Sequence, residues 1–175
     1  MPDFEAVAQV RDFLETGGPV LVVIGLTTFT MWALILDRLW FYRLVHPKRA
    51  DQVVSEWNDR SDHSSWNAHQ VRRLLASGVR QDLDSGLMMI RTLVALCPLL
   101  GLLGTVTGMI EVFDVMAVSG SGNARAMASG VSKATIPTMA GMVAALSGLI
   151  FSAQLDRFAR DEGQRVEDRL VIVHE

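Results

Sequence analysis

The 175-residue sequence has a single cysteine, Cys97. One cysteine excludes an internal disulfide and any paired-cysteine metal or redox site within the chain. The net charge of −3 provides no overall basic surface for nucleic acid. The histidines lie outside the apolar stretches and lack the spacing of metal ligands, so we predict neither a metal site nor a cofactor. They are His46, His63, His69 and His174.

Charged residues make up 20% of the chain, yet they are missing from three windows of about 20 residues. The windows cover residues 19–36, 92–110 and 134–155. At a rise of about 1.5 Å per residue, each window reaches roughly 30 Å, the thickness of a bilayer's apolar core. The pattern predicts an all-α membrane protein with three transmembrane helices. The remaining segments are too short for a separate soluble catalytic domain.

Lysine and arginine are unevenly distributed between the flanks of these windows. Residues 37–91 contain nine of them, whereas the segment before the first window contains only Arg11. The positive-inside rule places the N-terminus outside and residues 37–91 in the cytoplasm. Apolar residues at helical spacing between residues 71 and 90 predict a long helical cytoplasmic extension. The predicted order is an external amphipathic head (1–18), a first transmembrane helix (19–36), cytoplasmic loop and helices (37–91), a second transmembrane helix (92–118), an external turn (119–123), a third transmembrane helix (124–155) and a cytoplasmic tail (156–175).

Small residues line one face of the second and third predicted spans. In lipid, such a line lets neighbouring backbones approach closely, so we expect both helices to pack against other helices. Two prolines within the spans each free a backbone carbonyl and are expected to serve packing, kinking or the pore. The residues predicted for the pore or for helix packing are Pro98, Gly101, Gly104, Gly108, Pro137, Gly141, Ala145 and Gly148.

Each line of small residues carries one threonine near its middle. Counted from the expected turn near residue 120, Thr105 lies about 15 residues back and Thr138 about 18 residues forward, so their hydroxyls are expected at similar depth. One interpretation is a single polar level within the membrane. The alternative is that each hydroxyl bonds the carbonyl four residues earlier and serves packing only.

Acidic residues and histidine are missing from the cores of the second and third spans. An intramembrane ionisable residue is the usual sign of a proton relay, so the chain alone lacks a proton carrier at the membrane midplane. The nearest acids are Glu111 and Asp114, and the nearest base is Lys133. Lys133 either extends to the outer interface or forms a buried ion pair with Glu111.

Two segments carry a resemblance to a known family. Residues 97–110 read CPLLGLLGTVTGMI, and residues 130–142 read GVSKATIPTMAGM. In these segments the sequence resembles the ExbB/TolQ/MotA proton-channel family, and its short length resembles the small ExbB proteins of TonB systems. Residues 17–19 and 32–38 resemble the family's first span more loosely. Lys133 is a departure, because many members have a glutamate there, so the role of that acid is not transferred.

The resemblance implies a bacterial inner-membrane protein that forms a ring, expected to be a pentamer, with its second and third helices lining a pore. It also implies an ExbD-like single-span partner whose intramembrane aspartate carries the proton, and a TonB-like protein. Thr105 and Thr138 match the family's pore threonines and would hydrogen-bond water or the partner's aspartate. The implied function is an ExbB-like motor subunit that energises TonB-dependent uptake across the outer membrane.

Two other functions stay open at this point. A TolQ-like subunit of a Tol-Pal envelope motor would share the same segments. A non-conducting membrane scaffold would pack by the same glycines and would need no partner carboxylate. An intramembrane enzyme is disfavoured, because the spans contain no nucleophile–base pair and no metal constellation.

Overall fold

The computed structural model describes residues 2–60, 65–119 and 124–170, and nearly all of them are helical. The predicted turn lies outside these residues from position 120 to 123, and so does the end of the tail. The helices are α1 (Pro2–Trp40), a π-helical turn (Phe41–Val45), α2 (His46–Asn58), α3 (Trp66–Asp84), α4 (Leu87–Ser119) and α5 (Ala124–Arg169).

Three long helical stretches, Gly17–Asn58, Trp66–Ala117 and Met127–Arg169, each contain an apolar segment long enough to cross a membrane. This confirms the predicted class of an all-α protein with three potential membrane spans. The backbone of α1 departs from helical geometry at Gly18, with φ 69° and ψ −170°, directly before Pro19. The apolar face predicted for the external head (1–18) involves side chains that lie outside the described part of the chain.

The chain divides into two compact units, and the first comprises Met1–Trp32 and Arg91–Leu149. Its core is narrow and consists mainly of small or medium side chains from α1, α4 and α5. Cys97 is fully buried and forms a cluster with Ala144 and Ala145. A Cβ at Gly148 would lie 2.7 Å from Val94 and 2.9 Å from the methyl of Met31. Glycine at 148 therefore lets α1 and α4 reach the same point on α5.

Large apolar side chains of this unit point mostly outward. Phe29 is 74% exposed, Met139 66% and Val143 68%. A soluble domain of this size buries such side chains, because each contributes about 1.5–3 kcal/mol when it leaves water. The first unit therefore has the surface of a segment surrounded by lipid or by other helices.

The second unit comprises Ala33–Ile90 and Ile150–Glu175 and has a conventional core with ionic links. The core consists of Trp57, Ala68 and Leu170, with partly buried aliphatic side chains of α2 and α3 packed around them. The Arg72 guanidinium donates to the carbonyls of Leu170, at 2.7 Å, and Glu167, at 3.1 Å. Because the last carbonyls of a helix lack intrahelical donors, this arginine satisfies the end of α5.

Tyr42, in the π-helical turn, links three elements of the second unit. Its hydroxyl donates to the carbonyl of Leu83 at 2.8 Å, and its ring lies 4.9 Å from that of Phe158, centroid to centroid. Burial raises the pKa of Tyr42 to about 12. The phenol therefore stays neutral and keeps its donor at physiological pH.

The turn between α3 and α4 depends on a glycine. Gly86 has φ 77°, and a Cβ there would lie 3.0 Å from Nε of Arg38. Only glycine adopts this left-handed backbone conformation without steric cost. The turn separates two helices whose apolar spacing is continuous in the sequence.

We expect Gly86→Ala to lower the free energy of unfolding by about 1–2 kcal/mol, because alanine is strained at this φ. Gly78→Ala is the matched control, because Gly78 lies inside α3 with no atom within 4 Å of an added Cβ. That change should be neutral or stabilise the helix by up to about 1 kcal/mol. The measurement is the thermal unfolding midpoint of the detergent-solubilised protein. Equal midpoints for the two variants would contradict the role given to Gly86.

Candidate functional site

Helices α4 and α5 approach each other closely along their small residues. A Cβ added at Gly141 would lie 2.5 Å from the carbonyl oxygen of Cys97. A Cβ at Gly101 would lie 3.0 Å from the Cα of Thr138, and one at Gly108 would lie 2.7 Å from the Cβ of Ala134. The structure thus places three of the predicted glycines directly at the contact between the two helices.

The remaining predicted packing residues occupy different positions. Gly104 faces the ring of Pro137, and a Cβ there would also lie 3.2 Å from Val20 of α1. Ala145 is buried beside Cys97. Pro98 is half-buried within α4, and neither proline ends its helix.

The two threonines meet at this contact. The Thr138 hydroxyl donates to the carbonyl of Gly101 at 2.8 Å. The hydroxyls of Thr105 and Thr138 are hydrogen-bonded to each other, and the Thr105 hydroxyl lies 3.4 Å from the same carbonyl. Two hydroxyls and one carbonyl therefore form a single polar cluster, hereafter the threonine cluster.

The geometry combines the two arrangements expected for the threonines, because Gly101, whose carbonyl lies 3.4 Å from the Thr105 hydroxyl, is four residues before Thr105 in the same helix. A packing-only threonine bonds the carbonyl four residues earlier in its own helix, as Thr28 does with Ile24 at 2.7 Å. Thr138 instead bonds α4. With Thr138 donating to Gly101 and Thr105 donating to Thr138, lone pairs of Thr105 stay free to accept a further hydrogen bond.

The comparisons with known proteins point in one direction. The family model of the MotA/TolQ/ExbB proton channel family matches residues 47–168. The chain belongs to this family. The match includes the threonine cluster and most of the second unit, so both are parts of a proton-channel family protein.

Several relatives of the chain are named ExbB or ExbB-like. The chain is 26% identical over 145 residues to the biopolymer transport protein ExbB of Helicobacter pylori, and this match covers 83% of each protein. It is 34% identical over 96 residues to the biopolymer transport protein exbB1 of Vibrio cholerae, covering 54% of this chain and 42% of that protein. The chain is also 43% identical over 82 residues to an ExbB-like protein of Synechocystis. This match covers 41% of this chain and only 32% of that protein. Family membership and the three apolar helices support a multi-pass protein of the bacterial inner membrane.

Ionisable groups of this family member lie away from the threonine cluster in the sequence. Lys133 and Glu111 are both exposed, and no ion pair joins them in the described part of the chain. Asp114 is exposed as well. Within residues 2–60, 65–119 and 124–170, no group of three potential metal-ligating side chains is present.

Sequence reasoning missed the part that α1 plays in this unit. An apolar groove of about 830 Å³ lies between α1 and α5, with Gly25, Phe29 and Val143 among its lining residues. Its hydroxyls are already bonded to backbone, Thr28 to Ile24 and Ser147 to Ala144, each at 2.7 Å. The sequence carries no signal for it, because it depends on how α1 is rotated about its axis.

We expect Gly141→Ala to destabilise the α4–α5 contact by about 1–3 kcal/mol, because the new methyl meets a backbone carbonyl that cannot move aside. It should also separate Thr138 from Gly101. The matched control is Gly25→Ala in α1, where an added Cβ meets nothing within 4 Å. Thermal unfolding midpoints and membrane protein levels measure both effects. A Gly141→Ala protein as stable as the control would contradict this packing.

Proposed function

We propose that this chain is the ring-forming, ExbB-like subunit of an inner-membrane proton-driven motor that energises TonB-dependent uptake with an ExbD-like partner. The threonine cluster carries the proposal. It places two hydroxyls side by side in a pair of apolar spans that contain no acid in their cores. A member of a proton-channel family with such spans needs a carboxylate from another protein.

The chemistry of the cluster suits a partner's aspartate. A protonated carboxyl group can donate to the free lone pairs of Thr105. An ionised carboxylate requires donors, and the Thr138 hydroxyl supplies one by turning away from the Gly101 carbonyl. Because a charge in an apolar pore is costly, protonation removes the main barrier to moving the partner. The cluster thus responds to both protonation states of a carboxyl group.

The outward apolar faces support assembly into a ring. Leu102 and Val106 of α4 are 59% and 51% exposed, and Leu146 of α5 is 59% exposed. Other copies of the chain would cover part of these faces and leave the threonine cluster facing a central partner. By resemblance to the family, we assign a pentamer around a dimer of single-span partners.

The distribution of cations supports an orientation. Nine lysine and arginine residues lie in segment 37–91, and only Arg125 and Lys133 lie between the uncharged windows 92–110 and 134–155. We therefore place the N-terminus in the periplasm, and the C-terminus and the second unit in the cytoplasm.

Thr138→Val is expected to reduce proton flux at least about tenfold, because a hydrogen bond to a charged group contributes about 1.5–3 kcal/mol. Valine has nearly the shape of threonine and carries a methyl group in place of the hydroxyl. Flux is measured in vesicles that contain the chain and its partner, together with growth on tightly chelated iron. Thr138→Ser, which keeps the hydroxyl, should restore most of the flux.

Thr107→Val is the matched control for that experiment. Its hydroxyl lies 3.1 Å from the carbonyls of both Leu103 and Gly104, which belong to its own helix. Removing it should leave flux near the wild-type level. Normal flux in Thr138→Val at normal protein level, or an equal loss in Thr107→Val, would exclude the proposed role of the threonine cluster.

Co-expression with a single-span protein that carries an intramembrane aspartate should yield one complex. Its intact mass is expected to equal several copies of this chain plus the partner. A lone monomer would contradict the ring, and a ring that never retains such a partner would favour the scaffold.

Loss of the chain should abolish growth on chelated iron and leave envelope integrity intact, whereas the opposite result would favour a TolQ-like role.

A further inference from the structure

His46 occupies an unusual place in the second unit. It is only 4% exposed, and it lies where the π-helical turn ends and α2 begins. Its backbone N–H donates to the carbonyl of Phe41, which closes the five-residue turn. Short π-helical segments mark sites where a helix can change its course, and they frequently occur at functional positions.

The imidazole is buried without a hydrogen bond at one nitrogen. Nε2 of His46 has no hydrogen-bond partner and lies 3.8 Å from Oε1 of Glu162 on α5, an ion-pair distance. Buried polar atoms are nearly always paired, so an unpaired nitrogen beside a carboxylate calls for an explanation. Proton binding at Nε2 would place a positive charge in a site that is almost closed to water, which is costly unless the imidazole leaves its packing.

Charged groups face His46 from each element around it. Glu162 lies on α5 and is itself paired with Arg165 at 3.0 Å. Asp82 lies on α3 and is paired with Arg49 of α2 at 3.3 Å. Burial lowers the pKa of His46, and the nearby carboxylates of Glu162 and Asp82 offset only part of that effect. The packed imidazole is therefore neutral at pH 7.

The sign of the pH effect follows from this balance. A free histidine titrates near pH 6.5, and the packed one titrates lower. Between these two values an opened form binds a proton that the packed form does not bind. The packed form consequently loses stability as the pH falls below about 6.5.

We propose that His46 is a proton-binding site outside the apolar spans, and that proton uptake by its imidazole loosens residues 41–46 from their packing against α5. In the loosened form the imidazolium is hydrated, which removes the cost of its burial. The π-helical turn is the segment that yields, because its backbone hydrogen bonds are less regular than those of an α-helix. The inference rests on the packing of the second unit and not on the proposed ring or on proton conduction.

The test is hydrogen–deuterium exchange of the full-length protein in detergent between about pH 7.5 and about pH 5, corrected for the intrinsic exchange rate. Exchange at residues 41–50 should increase as the pH falls. Because one proton is taken up, the increase should not exceed about tenfold per pH unit. His46→Gln should remove the increase, and His69→Gln, which removes a histidine of α3, should keep it.

Glu162→Gln distinguishes the proposed contact from a general effect of acid. Without this carboxylate the pKa of the packed imidazole falls further, so exchange should begin to rise at the same pH and should continue to rise to a lower pH. A pH-independent exchange in the wild-type protein, the same increase in His46→Gln, or a rise in Glu162→Gln that ends at the same pH as in the wild-type protein would each overturn the proposal.

NMR titration of the wild-type histidines keeps the test decisive when His46→Gln does not fold. The His46 signal is identified as the one that responds to Glu162→Gln. A midpoint below 6.5 that falls further in this variant supports the site, and a midpoint at or above 6.5 overturns it.

Discussion

The close approach of α4 and α5 is the constraint on which the first unit depends. Lipid provides no hydrophobic driving force between two apolar helices, so packing and hydrogen bonds decide whether they associate. Gly141 lies under the carbonyl of Cys97 with no room for a methyl group. This proximity lets the Thr138 hydroxyl reach the Gly101 carbonyl across the contact. The glycines and the polar cluster are therefore one feature, because the hydrogen bond exists only at the distance that glycine permits.

The threonine cluster avoids the usual penalty for polar groups in lipid. Its hydroxyls bond each other and a backbone carbonyl, so neither is left without a partner in the described contact. Hydroxyls also change from acceptor to donor by rotating one bond. A site of this kind is stable when empty and can still form a hydrogen bond with a carboxyl group in either protonation state. Neither Lys133 nor Glu111 offers this, because a fixed charge favours only one of those states.

Local patterns in the sequence predicted the apolar spans and placed Thr105 and Thr138 at similar depth, because the rise per residue fixes depth along a helix, but they left open whether the two hydroxyls meet. Other features depend on contacts between distant segments. Met31 lies over Gly148 only because of the rotation of α1, and His46 meets Glu162 only after α2 packs against α5. The turn at Gly86 could not be predicted for a different reason, because apolar residues keep their helical spacing across it.

The two units differ in how they respond to pH. The polar groups of the threonine cluster are hydroxyls and a carbonyl, which do not titrate in the physiological range. The second unit contains the buried His46, and exposed ion pairs join its helices, among them Arg49 of α2 with Asp82 of α3. Under the two proposals, acid acts directly on the second unit through His46, whereas the threonine cluster responds only to the carboxyl group of a partner. Under the same proposals, a pH dependence of transport that is independent of the partner's carboxylate originates outside the threonine cluster.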